Sequence, residues 1–188
     1  GLLTIALQTI GVKARSWTGW QLPIITDEFF SKASIKEIRT EKIKSQLKNG
    51  EVAIITGFQG ITEKNKLTTL GRGGSDTSAV AIAASLNADR CDIYTDVDGV
   101  YTSDPRIVKN SVKLNNITYE EMLELSSQGA KVLQTRSVVL AMNYNVKLQV
   151  LSSFDDHPGT MIIKEENDME KTKISGIAYS SNEAKITI

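Results

Sequence analysis

Apolar residues recur at helical spacing over Leu2, Leu3, Ile5, Ala6 and Ile10, and the run stops at Gly11. From Val12 to Trp17 the pattern changes to alternation, so a helix that feeds a strand is predicted. The same succession returns further on. Ile43 and Leu47 share one face of a short helix that ends at Asn49-Gly50, and Val52-Ala53-Ile54-Ile55-Thr56 is a continuous apolar run of the kind a parallel strand buried on both faces carries. A long loop is predicted from there to Gly74. Asp76 to Leu86, rich in alanine, reads as helix and Cys91 to Thr95 as strand. Thr118 with Glu121 forms a capping box ahead of Met122, Leu123 and Leu125. Val132 to Tyr144 is helical in pattern, Val146 to Leu151 is strand, and Met161-Ile162-Ile163 after Pro158-Gly159 is a short strand. Helix and strand in alternation imply an α/β fold with a mainly parallel sheet, and ligands of such sheets bind in the loops beyond the carboxyl ends of the strands.

The tail differs. Lys164 to Lys173 is polar and charged and reads as a linker, and Ile174 to Ile188 has a strand-turn-strand pattern, with the turn at Ser180-Ser181-Asn182. The expected organisation is therefore one domain over 1–163, a linker over 164–173 and the start of a second domain over 174–188. The chain of 188 residues balances 22 Lys+Arg against 22 Asp+Glu, which removes the basic footprint expected of a nucleic-acid binder or a polybasic membrane-surface protein. With 40% hydrophobic and 23% charged residues it has the composition of a globular protein and excludes disordered, collagenous and coiled-coil classes. The longest apolar run, Ala79 to Ala84, is far short of the roughly 20 residues that span a bilayer. The opening Gly1-Leu2-Leu3-Thr4 has neither an initiating Met nor the features of a secretory signal, so a chain cut from something longer is expected. A single cysteine, Cys91, permits no internal disulfide and fits a reducing cytoplasm.

Candidate chemistry concentrates in three segments. The first is Thr68-Thr69-Leu70-Gly71-Arg72-Gly73-Gly74-Ser75-Asp76-Thr77-Ser78, a glycine-rich loop that runs into a helix. Three glycines in four residues let backbone N–H groups approach an anion, and the helix N-terminus adds the positive end of its dipole. No Lys precedes Ser75, so the loop is not a Walker A motif, and Asp76 stands where the dinucleotide fingerprint needs a third Gly. A plainer reading is a flexible turn capped by Ser75 or Asp76. Arg72 weighs against it, because a planar, bidentate donor inside the turn is suited to gripping a carboxylate.

The second segment runs from Tyr94 to Arg106 at a strand end, Tyr-Thr-Asp-Val-Asp-Gly-Val-Tyr-Thr-Ser-Asp-Pro-Arg. Asp96 and Asp98 invite a calcium-loop reading, but Val100 and Tyr101 occupy the positions where an EF-hand needs an oxygen ligand and a Gly. The segment is either a surface turn with satisfied carboxylates or a nucleotide pocket. In the latter a Tyr ring packs on the base, a carboxylate meets ribose or exocyclic amine, and Arg106 meets phosphate. The third segment is Ser127 to Leu133, where Lys131 opens a helix after a small-residue turn. It is either an ordinary solvated lysine or a mobile point charge that follows a phosphoryl group. His157, in an Asp-Asp-His-Pro-Gly turn, is expected to be exposed, and Cys91 to be a small buried hydrophobe. Trp17 and Trp20, on either side of Thr18-Gly19, fit cleft lining or packing equally well.

Together these segments resemble the aspartate kinases of the amino-acid kinase family. The most specific pieces are Gly57-Phe58-Gln59-Gly60, Thr69 to Thr77, Tyr94 to Arg106, Gly129 to Leu133 and Ser152 to Thr160. The resemblance implies a three-layer α/β/α kinase fold and phosphoryl transfer from ATP to L-aspartate, at the entry to lysine, diaminopimelate, threonine and methionine synthesis. By the same resemblance Arg72, Gly73 and Ser75 would hold aspartate with Phe58 packed beside it, and Asp76 would orient the site. Thr95, Asp96, Tyr101 and Arg106 would bind the nucleotide, with Lys131 and the Val132 backbone on its phosphate side. Magnesium would bridge the phosphates without a protein cage, and the tail would open an ACT regulatory region through which the full-length chain forms a homo-oligomer. The family's Lys-Phe-Gly-Gly strand, its Ser/Thr substrate loop and a substrate-binding Glu have no counterpart among these 188 residues, so the expectation is that these residues alone lack appreciable activity. The rival readings are another small-molecule kinase of this fold and a nucleotide-binding module without turnover.

Overall fold

The computed structural model describes residues 1–128, 132–165 and 176–178, and its contacts divide the chain into two compact units, Gly1–Ala88 and Asp89–Ile188. In unit 1 the opening apolar pattern does form a helix, α1 (Leu2–Thr9), but Leu2, Leu3 and Ile5 stay exposed. The polar residues hold it instead: Thr4 Oγ1 lies 2.6 Å from Ser16 Oγ, and Gln8 Nε2 donates to the Ala14 carbonyl. Three strands follow, β1 (Ala14–Trp17), β2 (Ile24–Thr26) and β3 (Ile35–Ile38), then α2 (Glu41–Lys48) and β4 (Val52–Ile55). α2 stops where predicted, with Asn49 as C-cap and Gly50 at φ +72°. Its Ile43 is fully buried with Trp17 and Leu22, and Ile38, Ala53, Ile55, Ile82 and Leu86 pack around them. Burial of that one isoleucine contributes about 1.5–3 kcal/mol.

The predicted loop between β4 and Gly74 instead contains a hairpin, β5 (Gln59–Ile61) and β6 (Leu67–Thr69), which leads into α3 (Gly74–Leu86). β1 and β4 pair in parallel, and a second sheet has the order β3-β2-β5-β6. Gly60 is what lets that sheet close. A Cβ there would stand 2.5 Å from Thr26 Cγ2 and 2.7 Å from the Ile24 carbonyl oxygen, so the close approach of β5 to β2 excludes a side chain. β4 is also less enclosed than its apolar run predicts: Val52 is exposed and the next three residues are half-buried.

Unit 2 is built on β7 (Cys91–Thr95), β8 (Asn116–Thr118), α4 (Tyr119–Ser127), α5 (Thr135–Tyr144), β9 (Leu148–Ser152) and β10 (Thr160–Ile163). The strand order is β7-β9-β10-β8, with β7·β9 and β10·β8 parallel and β9·β10 antiparallel. Over both units the pairing is mixed with a parallel majority, as an α/β fold predicts. The capping box is present in full: Glu121 N donates to Thr118 Oγ1, and Thr118 N donates to the Glu121 carboxylate. α5 begins at Thr135, three residues later than its pattern predicts, because Gln134 is its extended N-cap. α3 and α5 both end on an asparagine in the left-handed region, Asn87 and Asn145. Of the predicted linker and second domain, only Lys164, Glu165 and 176–178 fall within the described residues.

Candidate active site

In unit 1, β6 leads into a tight turn. Gly71 at φ +76° and Gly73 at φ +69° flank Arg72, and Gly74 N–H donates to the Gly71 carbonyl at 2.9 Å. Two left-handed residues in three are what the glycines supply, since other residues adopt this conformation at a cost. The turn places Arg72 at an exposed corner, and among the described residues its guanidinium has no hydrogen-bond or ion-pair partner. α3 starts immediately after, with Gly73 as an N-cap that has no side chain to satisfy the first N–H groups. The N-terminus of a 13-residue helix without a side-chain cap from Gly73, beside the Arg72 guanidinium, is an arrangement that can bind an anion. Ser75 and Asp76 lie in the first turn, with Ser75 Oγ 3.4 Å from Asp76 Oδ1.

Phe58 is fastened to the same turn. Its φ of +68° is a strained conformation for an aromatic residue, and the surroundings over-determine it. Phe58 N–H donates to Ser78 Oγ at 3.2 Å, Ser78 Oγ donates to the Ser75 carbonyl at 2.8 Å, and Leu70 N–H donates to the Phe58 carbonyl at 3.0 Å. A Cβ on Gly74 would stand 2.9 Å from Phe58 Cδ2, so the half-exposed ring packs directly on the glycine at the start of α3. Arg72, Gly73, Ser75 and Asp76 thus lie along one turn, with the Phe58 ring packed against its Gly74.

In unit 2 the candidate residues follow the carboxyl end of β7. Thr95 Oγ1 donates to Asp96 Oδ1 at 3.1 Å, and Asp96 is exposed. The Tyr101 hydroxyl sits 3.1 Å from both oxygens of Asp98, which also accepts from Lys113 Nζ at 3.2 Å. Burial pushes the Asp98 carboxyl up, but the bonds from Lys113 and Tyr101 outweigh it and hold the group below the ordinary carboxylate range. Burial and the Asp98 charge together push the Tyr101 phenol up. Arg106 is engaged differently from the phosphate contact predicted for it. Its guanidinium forks onto Asp104, Nε to Oδ1 at 3.0 Å and Nη2 to Oδ2 at 2.8 Å, which draws the Asp104 carboxyl down. The arginine side chain is 86% exposed, so this is a weak surface pair that a phosphate can displace.

Lys131 lies outside the described residues, and Val132 is half-buried in the turn before α5. His157 is exposed and bonds Asp155, and Cys91 is buried, as expected of both. Trp17 and Trp20 both line an open cleft of about 560 Å³ with Arg15, Gln21, Lys42, Ser45 and Gln46, a set that includes none of the predicted site residues. Among the described residues no group of three His, Cys, Asp or Glu side chains is placed to hold a metal ion, and no helix is long and apolar enough to cross a membrane.

Sequence reasoning missed one feature of the site, the buried hydroxyl of Thr160. Thr160 Oγ1 accepts from Val100 N–H at 2.8 Å and donates to the Leu114 carbonyl at 2.6 Å, which pins the loop after β7 to the first residue of β10. Gly159 allows this strand to close in, since a Cβ there would fall 1.7 Å from the Val150 carbonyl oxygen. The Pro-Gly pair just before a strand was the available signal.

Comparison with known proteins gives a consistent result. Curated relatives include aspartate kinase of Pseudomonas putida, 57% identical over all of this chain and 46% of its own length. Aspartokinase 2 of Bacillus subtilis is 52% identical over all of this chain and again 46% of its own. The chain therefore spans about half the length of the curated relatives it matches. Among solved structures, E. coli aspartokinase III in complex with aspartate and ADP superimposes with a TM-score of 0.80 at 34% identity, over 88% of this chain and 38% of that one. Aspartate kinase from Synechocystis gives 0.75 at 45% identity, over 91% of this chain and 28% of that one. UMP kinase from Bacillus anthracis, at 19% identity and a TM-score of 0.59 over 88% of this chain and 66% of its own, shares the fold alone. The glycine turn, the parallel-rich α/β architecture and a match of residues 2–152 to the family model together show that the chain belongs to the amino acid kinase family.

Proposed function

We propose that the protein is an aspartate kinase, which transfers the γ-phosphoryl group of ATP to the side-chain carboxylate of L-aspartate. The observation that carries this reading is the Gly71–Asp76 turn, where Arg72, unpaired among the described residues, stands beside a helix N-terminus without a side-chain cap from Gly73, with an aromatic ring packed against it. Arg72 grips a carboxylate of the amino acid through its fork, Ser75 and the backbone at Gly73 complete the contact, and Phe58 walls the site. Asp76 orients the first turn of α3. Thr95, Asp96 and Tyr101 take the nucleoside, while Arg106, Lys131 and the Val132 backbone serve the phosphates. The names of relatives at 49–57% identity over the whole chain support the same acceptor.

The chemistry suits a site without a general base. The aspartate side chain is ionised at neutral pH, so its carboxylate oxygen attacks the γ-phosphorus, the bond to the β,γ-bridging oxygen breaks, and ADP leaves with that electron pair. What the protein supplies is alignment and neutralisation of two approaching anions, through cationic side chains and backbone N–H donors. Loss of one such donor costs on the order of 10²- to 10³-fold in rate. Magnesium in this reading travels on the phosphates of the nucleotide. The product is an acyl phosphate that feeds lysine, diaminopimelate, threonine and methionine synthesis in the cytoplasm, and the protein assembles as a homo-oligomer through an ACT region.

The test is ADP release by the whole protein, coupled to a spectrophotometric readout, with L-aspartate, L-glutamate, acetylglutamate, carbamate and UMP as acceptors. Turnover with aspartate alone is expected. Turnover with another acceptor, or binding of ATP without turnover of any, would replace this reading with one of the two rivals.

A further inference from the structure

We propose that Lys113 is a positioning residue of the nucleotide-binding loop: its ammonium joins Asp98 to the Pro158 carbonyl and thereby sets the Tyr101 ring. The proposal rests on the nucleotide reading of unit 2 given above. Its starting point is the parallel pair β7·β9. Thr95 and Ser152 are register partners at the ends of these strands, and Ser153 N–H donates to the Thr95 carbonyl at 2.8 Å. Both following loops, 96–101 and 153–159, therefore leave the sheet at the same end, the end at which parallel sheets bind their ligands.

Lys113 spans these loops. Its Nζ lies 3.2 Å from Asp98 Oδ2 and 2.9 Å from the Pro158 carbonyl oxygen, groups 15 and 45 residues away in sequence. Only a quarter of the side chain is exposed. A Cβ on Gly99 would stand 3.0 Å from Lys113 Cδ, so the loop lies against the lysine stem. A lysine held this way gives up rotamer entropy that a solvated one keeps, which marks it off from an ordinary surface lysine. Asp98 in turn receives the Tyr101 hydroxyl on both oxygens. The ammonium fixes the carboxylate, and the carboxylate fixes the ring.

The backbone here has anchors of its own. Leu114 N–H donates to the Val100 carbonyl, Thr102 N–H to the Val112 carbonyl, and Val112 N–H to Thr102 Oγ1, none of which needs the lysine head group. Removal of the ammonium therefore releases Asp98 and Tyr101 without dismantling the ribbon, and the effect falls on the nucleotide.

The experiment compares Lys113→Met, Lys113→Gln and Lys113→Arg with the parent in the whole protein, by steady-state kinetics and by titration with ATP. Lys113→Met should raise the KM for ATP about tenfold with little change in kcat or in the KM for aspartate. Lys113→Arg, which can still donate to both loops, should recover most of the loss. Lys113→Gln, which can serve one loop at a time, should fall between them and carries the test if the Met variant does not fold. A Lys113→Met protein that binds ATP as the parent does overturns the proposal alone, as does a loss shared equally by all three kinetic constants. A parent that binds no ATP overturns the nucleotide reading and the proposal with it.

Discussion

Thr160→Val keeps the branched shape of a fully buried side chain and replaces its hydroxyl with a methyl. That hydroxyl accepts from Val100 N–H and donates to the Leu114 carbonyl. Val100 is 2% exposed, so water cannot replace the lost acceptor, and an unsatisfied buried N–H costs about 1–3 kcal/mol. The carbonyl of half-buried Leu114 adds a smaller penalty, and the extra buried methyl of valine returns about 0.8 kcal/mol. The net expectation is about 2 kcal/mol. For a domain of this size that lowers the melting temperature by roughly 4–8 °C. It also speeds exchange of the Val100 amide by about 30-fold, because each 1.4 kcal/mol is a factor of ten. Native-state hydrogen exchange reads this directly, with Thr160→Ser as the control that keeps the hydroxyl and loses the methyl. A Val100 amide that exchanges at the parent rate in Thr160→Val would show that the Thr160 hydroxyl does not hold this N–H, whatever the change in overall stability.

Two other expectations concern the same unit. Gly159→Ala should destabilise by more than about 4 kcal/mol and reduce soluble yield, since its Cβ would fall 1.7 Å from a backbone oxygen of β9 that no rotamer change can move aside; near-parent thermal unfolding would contradict the close approach. The Asp98 carboxyl is held below its ordinary value, so its pairing contributes stability that is fully present above about pH 4, the unfolded value, and is lost as pH falls through the lower folded value. Urea unfolding of parent and Asp98→Asn should therefore differ by a constant amount from pH 5 to 8 and converge below pH 4, and a difference that persists at pH 2 would contradict the assignment.

Much of the fold was legible where local chemistry and tertiary demand agree. β7 spans Cys91–Thr95, as its pattern predicts, α2 stops at Asn49-Gly50, and the Thr118–Glu121 box opens α4 with both of its hydrogen bonds. The elements that escaped are short. β2, β5, β6 and β8 have three residues each and β3 has four, too few for a period of two to stand out. Gly60 misleads further, because a residue that reads as loop punctuation is there to let β5 approach β2. In the site, the Gly71–Asp76 turn was legible because its glycines carry their own backbone requirement. The bond from Lys113 to Asp98 and the partners of Thr160 were not, because these residues lie 15 to 60 positions away and nothing local specifies them. The pair that Arg106 forms with Asp104 was legible in principle, since the acceptor stands only two residues before it.

Arg72→Lys in the whole protein is the decisive test of the proposed grip of Arg72 on a carboxylate of aspartate. The substitution keeps the charge and replaces the planar fork with a point charge, so only bidentate recognition is lost. Steady-state kinetics should show the KM for aspartate raised about tenfold or more with the KM for ATP unchanged. An unchanged KM for aspartate together with an altered KM for ATP would contradict the claim and move Arg72 to the nucleotide.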